Sequence, residues 1–246
     1  MKRLIIALAG LTLSAAALAN EGEALPFSFK PDTGNLASVQ RGARDFMAYC
    51  SGCHSMKHLR YSRIAQDLQI PEDLVKANLM FTTEKIGDHI QTSMPADQSK
   101  QWFGQTPPDL TVETRIRGAD WVYSYLNSFY VDDSRPLGVN NLVLPGASMP
   151  HVLWELQGWQ VKPAAKAEGA AAEGEHGGSG LELAQPGKLS PDEYQKFTAD
   201  LTNFMVYAAE PGRAGRISLG GKVILYLLVL TALFYALKKE YWKDIH

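Results

Sequence analysis

The chain has 246 residues, enough for one large domain or two small ones. It is 46% hydrophobic and 20% charged, which excludes a disordered or collagen-like chain and fits a globular protein with a membranous part. A net charge of −2 supplies no basic surface for nucleic acid.

Residues 1–19 read as a cleaved signal peptide. Lys2 and Arg3 precede a short apolar core from Leu4 to Leu13, and Ala17-Leu18-Ala19 forms a small-residue cleavage site before Asn20. The mature chain is therefore expected to begin near Asn20 and to be exported. Leu36–Tyr49 is predicted helical, with Val39, Ala43, Phe46, Met47 and Cys50 on one stripe. Gly42 weakens that helix slightly, and its apolar face is expected to pack on a cofactor.

The helix leads into Cys50-Ser51-Gly52-Cys53-His54, a C-x-x-C-H run. Each thiol there can form a thioether to a haem vinyl group, and the adjacent His54 supplies the proximal iron ligand. These are the only cysteines in the chain. A zinc site would need about four protein ligands, and no second pair exists. A redox C-x-x-C would want a βαβ pattern, which is missing. The expected cofactor is one covalently bound haem c.

A short helix is expected from Pro71 to about Leu79, opened by proline and acids. Gly87 to Gly104 reads as loop, and Thr106-Pro107-Pro108-Asp109-Leu110 as a rigid extended segment. Ala119–Phe129 is predicted helical and rich in aromatics. Val131–Ser148 reads as irregular, ending in Gly146-Ala147-Ser148-Met149-Pro150-His151. Residues 162–188 read as a flexible linker rich in Ala, Gly and Glu, with a solvated His176. Ser190-Pro191-Asp192-Glu193 is a capping box that opens a helix through Ala208, and Glu210-Pro211-Gly212 stops it. No strand pairs are expected.

Residues 213–237 are the expected transmembrane anchor, and 238–246 the cytoplasmic tail. Val223–Leu237 is an unbroken apolar run, Lys222 snorkels near one end, and Tyr226, Tyr235, Tyr241 and Trp242 suit the interfaces. Basic residues flank both sides, so orientation follows from the signal peptide: head outside, tail inside. The exported head, residues 20–212, then holds 16 Lys+Arg against 24 Asp+Glu, near −8. From charge alone such a head fits either a surface kept acidic for solubility or one that attracts and steers a basic soluble partner.

An electron carrier needs a second axial ligand, whereas a sensor or peroxidase leaves the sixth site open. Met80, His89, Met94, Met149, His151 and Met205 are downstream candidates. Met205 lies in a helix stripe, and Met80 lacks a loop context. Met94-Pro95 and Met149-Pro150 lie in loops, with His151 the third choice.

These motifs together resemble the cytochrome c1 family, the c-haem subunits of the cytochrome bc1 complex. The resemblance runs through Arg41-Gly42, Tyr49 to Ser55, Pro107 to Leu110 and Arg115-Ile116-Arg117-Gly118. It continues through Gly146 to Pro150 and Ala208-Ala209-Glu210-Pro211 before the single anchor. It implies a mostly α fold: a cytochrome c-like helical haem domain with loop insertions, spanning 20–212, plus one C-terminal transmembrane helix. It implies Met149 as the axial methionine, Arg117 (with Arg115 as fallback) beside a haem propionate, and Pro108 against the haem. Some relatives carry an additional disulfide, which this chain, with both cysteines committed to haem, cannot form. The chain is also compact between Phe129 and Pro145.

The implied role is an electron relay from the Rieske iron–sulfur subunit, beside cytochrome b, to a soluble basic c-type cytochrome. The chain itself has no independent catalysis; the complex is the enzyme. The implied setting is a dimeric complex in the inner membrane, with a periplasmic haem domain. The alternatives are the monohaem subunit of a terminal oxidase or nitric oxide reductase, and a haem enzyme or gas sensor with an open sixth site.

Overall fold

The computed structural model describes residues 25–163 and 179–243. The signal peptide read over 1–19, His176 with most of its linker, and the end of the tail lie outside those residues.

The head is built around one helical post. Helix α8, Pro191–Ala209, begins with the predicted capping box: the Ser190 side chain accepts from the Glu193 N–H, and the Glu193 carboxylate accepts from the Ser190 N–H. Its buried face carries Tyr194, Leu201, Phe204, Met205 and Ala208. Helix α1, Leu36–Tyr49, crosses it closely. A Cβ on Gly42 would sit 2.0 Å from the Asp200 carbonyl oxygen and 2.7 Å from the Phe204 Cβ, so only glycine permits this approach. Around the crossing, Arg41 grips the Asp200 carboxylate through Nε (2.6 Å) and Nη2 (2.9 Å). Ser38 Oγ donates to the same carboxylate at 2.5 Å. Part of the α1 stripe meets α8: Phe46 packs against Phe204 with ring centroids 5.6 Å apart. Gly42 is a contact residue rather than a mere weakness in the helix.

Two further helices lean on the same post. Helix α5, Glu113–Ile116, is pinned by Thr114 Oγ1 donating to the Met205 carbonyl at 3.1 Å. Helix α6, Ala119–Asn127, is pinned by Tyr194 OH donating to the Leu126 carbonyl (2.8 Å) and by Asn127 Nδ2 donating to Thr198 Oγ1 (3.0 Å). The prediction carried α6 to Phe129, but that residue begins a strand. Short helices α2 (Tyr61–Asp67), α3 (Glu72–Asn78), α4 (Ala96–Phe103) and α7 (Trp154–Gln157) close the sides. Helix α4 occupies part of the stretch expected to be loop. Pro95 stands at its N-cap and Gly104, with φ of 78°, ends it.

The expectation of no strand pairs is corrected. The described residues hold three antiparallel pairs: β1 (Met56–Arg60) with β2 (His89–Ile90), β3 (Phe129–Val131) with β4 (Val139–Asn141), and β5 (Gly158–Val161) with β6 (Glu182–Pro186). Strands of two to five residues are too short for an alternating pattern to emerge. The linker expected over 162–188 is likewise shorter at its C-terminal side. Gly158, with φ of 90°, lets β6 close so tightly that a Cβ there would meet the Gln185 carbonyl oxygen at 2.1 Å.

Past Pro211-Gly212 the post continues into α9, Arg213–Tyr241. Arg216 pairs with Glu210 across the joint. Gly215–Tyr241 is long and apolar enough to cross a membrane, and none of its most apolar stretch is buried in the described chain. Its 27 residues would reach about 40 Å.

Candidate functional site

The C-x-x-C-H run forms a tight turn at the C-terminus of α1. The Cys50 N–H caps the helix by donating to the Phe46 carbonyl at 2.8 Å. The N–H groups of Cys53 (3.1 Å) and His54 (2.9 Å) both donate to the Cys50 carbonyl, so one oxygen gathers the three residues. Burial pushes the Cys50 thiol up to about 12 and raises the Cys53 thiol as well. Thiols so shifted are poor thiolates. Among the described residues no group of three or more His, Cys, Asp or Glu is placed to hold a metal ion.

His54 is oriented from outside the motif. Its Nδ1 lies 2.8 Å from the Pro108 carbonyl oxygen. A carbonyl only accepts, so Nδ1 carries the hydrogen and Nε2 keeps a free lone pair. Burial lowers the His54 pKa against the opposing pull of the Pro108 bond, favouring the neutral imidazole that a metal requires. Pro108 is held in turn. Asp109 Oδ2 accepts from the Lys57 N–H at 2.7 Å, and the Leu110 N–H donates to the Ser55 carbonyl at 2.9 Å. The Thr111 hydroxyl and N–H close on Asp109 Oδ1 at 2.5 and 3.0 Å. Pro108, read as a haem wall, is thus also the acceptor that aims His54.

Sequence reasoning missed Asp109 and Thr92 as supports. Thr92 Oγ1 donates to the Gly52 carbonyl at 2.7 Å and accepts from the Met94 N–H at 3.1 Å, while its own N–H donates to Ser55 Oγ at 3.0 Å. This fastens the Met94 loop to the cysteine turn. The only sequence signal for either residue is a short polar side chain in a loop, where such groups bind nearby backbone.

Met149 is half-buried and packs against the main hydrophobic core, to which Tyr49 and Cys50 also attach. Met80 and Met205 are core residues, 9% and 6% exposed, which suits packing rather than ligation. His151 is buried beneath an aromatic stack. Its ring lies 4.9 Å from Phe129 at 7° and 6.0 Å from Trp159 at 78°, and its Nε2 has no partner. Burial takes its pKa down to about 4, so it is neutral at pH 7. Arg117 stands exposed, with Nε 2.7 Å from Glu113 Oε1 and its guanidinium 4.3 Å above the Trp121 ring. Arg115 is also exposed.

The donor set fits a covalently held haem: two protonated thiols spaced for thioethers, a neutral imidazole with Nε2 free, and thioethers in nearby loops. Head, turn and apolar C-terminal helix define the class as a membrane-anchored c-type cytochrome. The Cytochrome C1 family model matches residues 27–161 and 188–245. Cytochrome c1 of Allochromatium vinosum is 47% identical over 246 residues, covering all of both chains. The ammonia monooxygenase gamma subunit of Nitrosomonas europaea is 43% identical over 215 residues, 87% of this chain and 86% of that protein. Cytochrome b/c1 of Bradyrhizobium diazoefficiens is 23% identical over 282 aligned positions, 94% of this chain and 37% of that protein. The chain belongs to the cytochrome c1 family.

Family membership carries a c-type haem, electron transport in a bc1 complex and single-pass membrane anchoring.

Proposed function

We propose that this chain receives electrons from the Rieske iron–sulfur subunit of a bc1 complex and delivers them to a soluble, basic c-type cytochrome. The observation that carries the reading is the His54–Pro108 contact beside two half-buried thiols, on a head continuous with an apolar helix. When bound, the haem supplies a one-electron couple. Cys50 and Cys53 would tether it, and His54, through Nε2, and Met149, through its thioether, would be its protein ligands. A neutral thioether favours the reduced state relative to a second imidazole. Arg117 supplies positive charge for a haem propionate, and Pro108 keeps His54 aimed.

The excess of 24 acids over 16 bases across residues 20–212 supports a basic acceptor. The leader read over 1–19 supports a periplasmic head, with the tail from 238 in the cytoplasm. The relative called cytochrome b/c1 supports cytochrome b as neighbour; the dimeric state of the complex rests on the family resemblance alone.

A second reading draws on the relative called ammonia monooxygenase gamma subunit, in which the chain would serve a monooxygenase assembly. Mild detergent extraction followed by optical and electron-spin spectra separates the two. Co-purifying b-type haem and a Rieske signal support the bc1 reading. An ammonia-oxidising assembly, or the centres of a terminal oxidase, in place of these partners would overturn it.

A further inference from the structure

Gly146, three residues before Met149, is gripped on both of its polar backbone groups by the β3–β4 hairpin. Its N–H donates to Asn140 Oδ1 at 2.8 Å, and its carbonyl accepts from Arg135 Nη2 at 2.9 Å. The orientation of Asn140 is itself fixed. Its Oδ1 also accepts the Asn141 N–H (2.9 Å), and its Nδ2 donates to Asp132 Oδ2 (2.8 Å). Asp132 Oδ1 is occupied by the N–H (3.1 Å) and hydroxyl (2.5 Å) of Ser134. Arg135 Nε is shielded and unpartnered, so the Nη2 bond to Gly146 carries that side chain's hold on the loop. Gly146 has φ of 81°, a left-handed backbone that residues with a Cβ rarely adopt, so the position favours glycine.

This grip falls where the chain needs one. From Leu142 to Leu153 the backbone forms neither helix nor strand, and with both cysteines in the C-x-x-C-H turn no cross-link can brace it. A thioether carries no charge to draw it to iron, so its ligation depends on the loop presenting it. Outer residues that orient ligands commonly tune a metal site.

We propose that Arg135 and Asn140 are positioning residues for Met149, fixing Gly146 so that the thioether stays at the sixth position. Asp132 sets Asn140. This rests on Met149 being the axial ligand.

The test uses the complex purified from membranes. It reads the methionine–iron charge-transfer band of the oxidised c haem, carbon monoxide uptake by the reduced c haem, and its midpoint potential. Met149→Leu calibrates the open state. The pair Arg135→Met with Asn140→Ala removes both hydrogen bonds to Gly146 and should raise the detached-to-ligated ratio roughly tenfold to thirtyfold. The band should weaken, uptake should appear and the potential should fall. Arg135→Lys, which keeps a donor, should remain inert to carbon monoxide. If Met149→Leu opens the haem while the paired variant stays closed at an unchanged potential, the clamp is overturned and the ligand assignment stands. If Met149→Leu changes nothing, the ligand assignment fails and takes the clamp with it. Should the paired variant not accumulate with haem, Arg135→Met and Asn140→Ser are read singly, and a closed haem in both overturns the clamp.

Discussion

His54 Nδ1 sits 2.8 Å from the carbonyl oxygen of Pro108, which commits one ring nitrogen to the protein and leaves the other for iron. That carbonyl is aimed by Asp109, whose two oxygens hold Lys57 and Thr111. Asp109→Ala should release the Pro107–Leu110 segment, cost about 1–3 kcal/mol of stability and shift the haem potential. Asp109→Asn keeps an acceptor and should retain most of both. Thermal denaturation and redox titration of the purified protein check this. A destabilised variant with an unaltered potential would show that the aim of His54 does not depend on Asp109.

Gly42→Ala should be costly although alanine favours helices. The new Cβ would lie 2.0 Å from a backbone oxygen of α8, which cannot rotate away as a side chain could. Overpacking typically costs about 1–3 kcal/mol, and backbone contact places this case at or above the upper end. The expected result is a lower denaturation midpoint and less haem-stained protein on a denaturing gel. An unchanged midpoint would mean that α1 and α8 do not meet at Gly42.

The attachment turn was legible because Cys50, Cys53 and His54 are contiguous, so spacing alone defines the chemistry. Helix α8 was legible because Ser190 and Glu193 make a local cap and a 3.6-residue stripe follows. What supports the site was not legible. Asp109, Thr92, Arg135 and Asn140 each reach at least one partner distant in sequence, as with Asp109 and Lys57 or Arg135 and Gly146. A short polar side chain looks alike whether it meets water or a distant backbone group. The strands escaped for a related reason: β5 meets β6 across a long excursion, and neither has enough residues for an alternating pattern.

His151→Phe distinguishes a core histidine from a ligand. The ring stacks on Phe129 and meets Trp159 edge-on, so an aromatic replacement of similar shape should leave the haem spectrum unchanged and alter stability by less than about 1.5 kcal/mol. The sign of the pH effect follows from burial. The folded pKa is about 4, below the ordinary histidine value of 6.5 that holds in the unfolded chain, so the unfolded chain binds the proton first. The histidine therefore costs nothing above pH 6.5, and stability is lost as the pH falls from there through about 4. Melting curves across that window should show a shallower acid loss in His151→Phe. A changed haem spectrum would instead make His151 a ligand.

Arg117 and Glu113 offer a test by opposite signs. The guanidinium is held 2.7 Å from the Glu113 carboxylate and 4.3 Å above Trp121, so its position is fixed although it is exposed. Arg117→Gln removes a positive charge near the proposed propionate site and should lower the midpoint potential. Glu113→Gln removes the opposing negative charge and should raise it. Both shifts should shrink as salt is added, because exposed charges are screened over about 10 Å at 0.1 M ionic strength. Neither change should move stability by more than about 1 kcal/mol, the usual worth of an exposed ion pair. Redox titrations of the two variants at low and high salt decide the matter. Shifts of the same sign, or none in either variant, would remove Arg117 from the haem's surroundings and leave Arg115 as the next candidate.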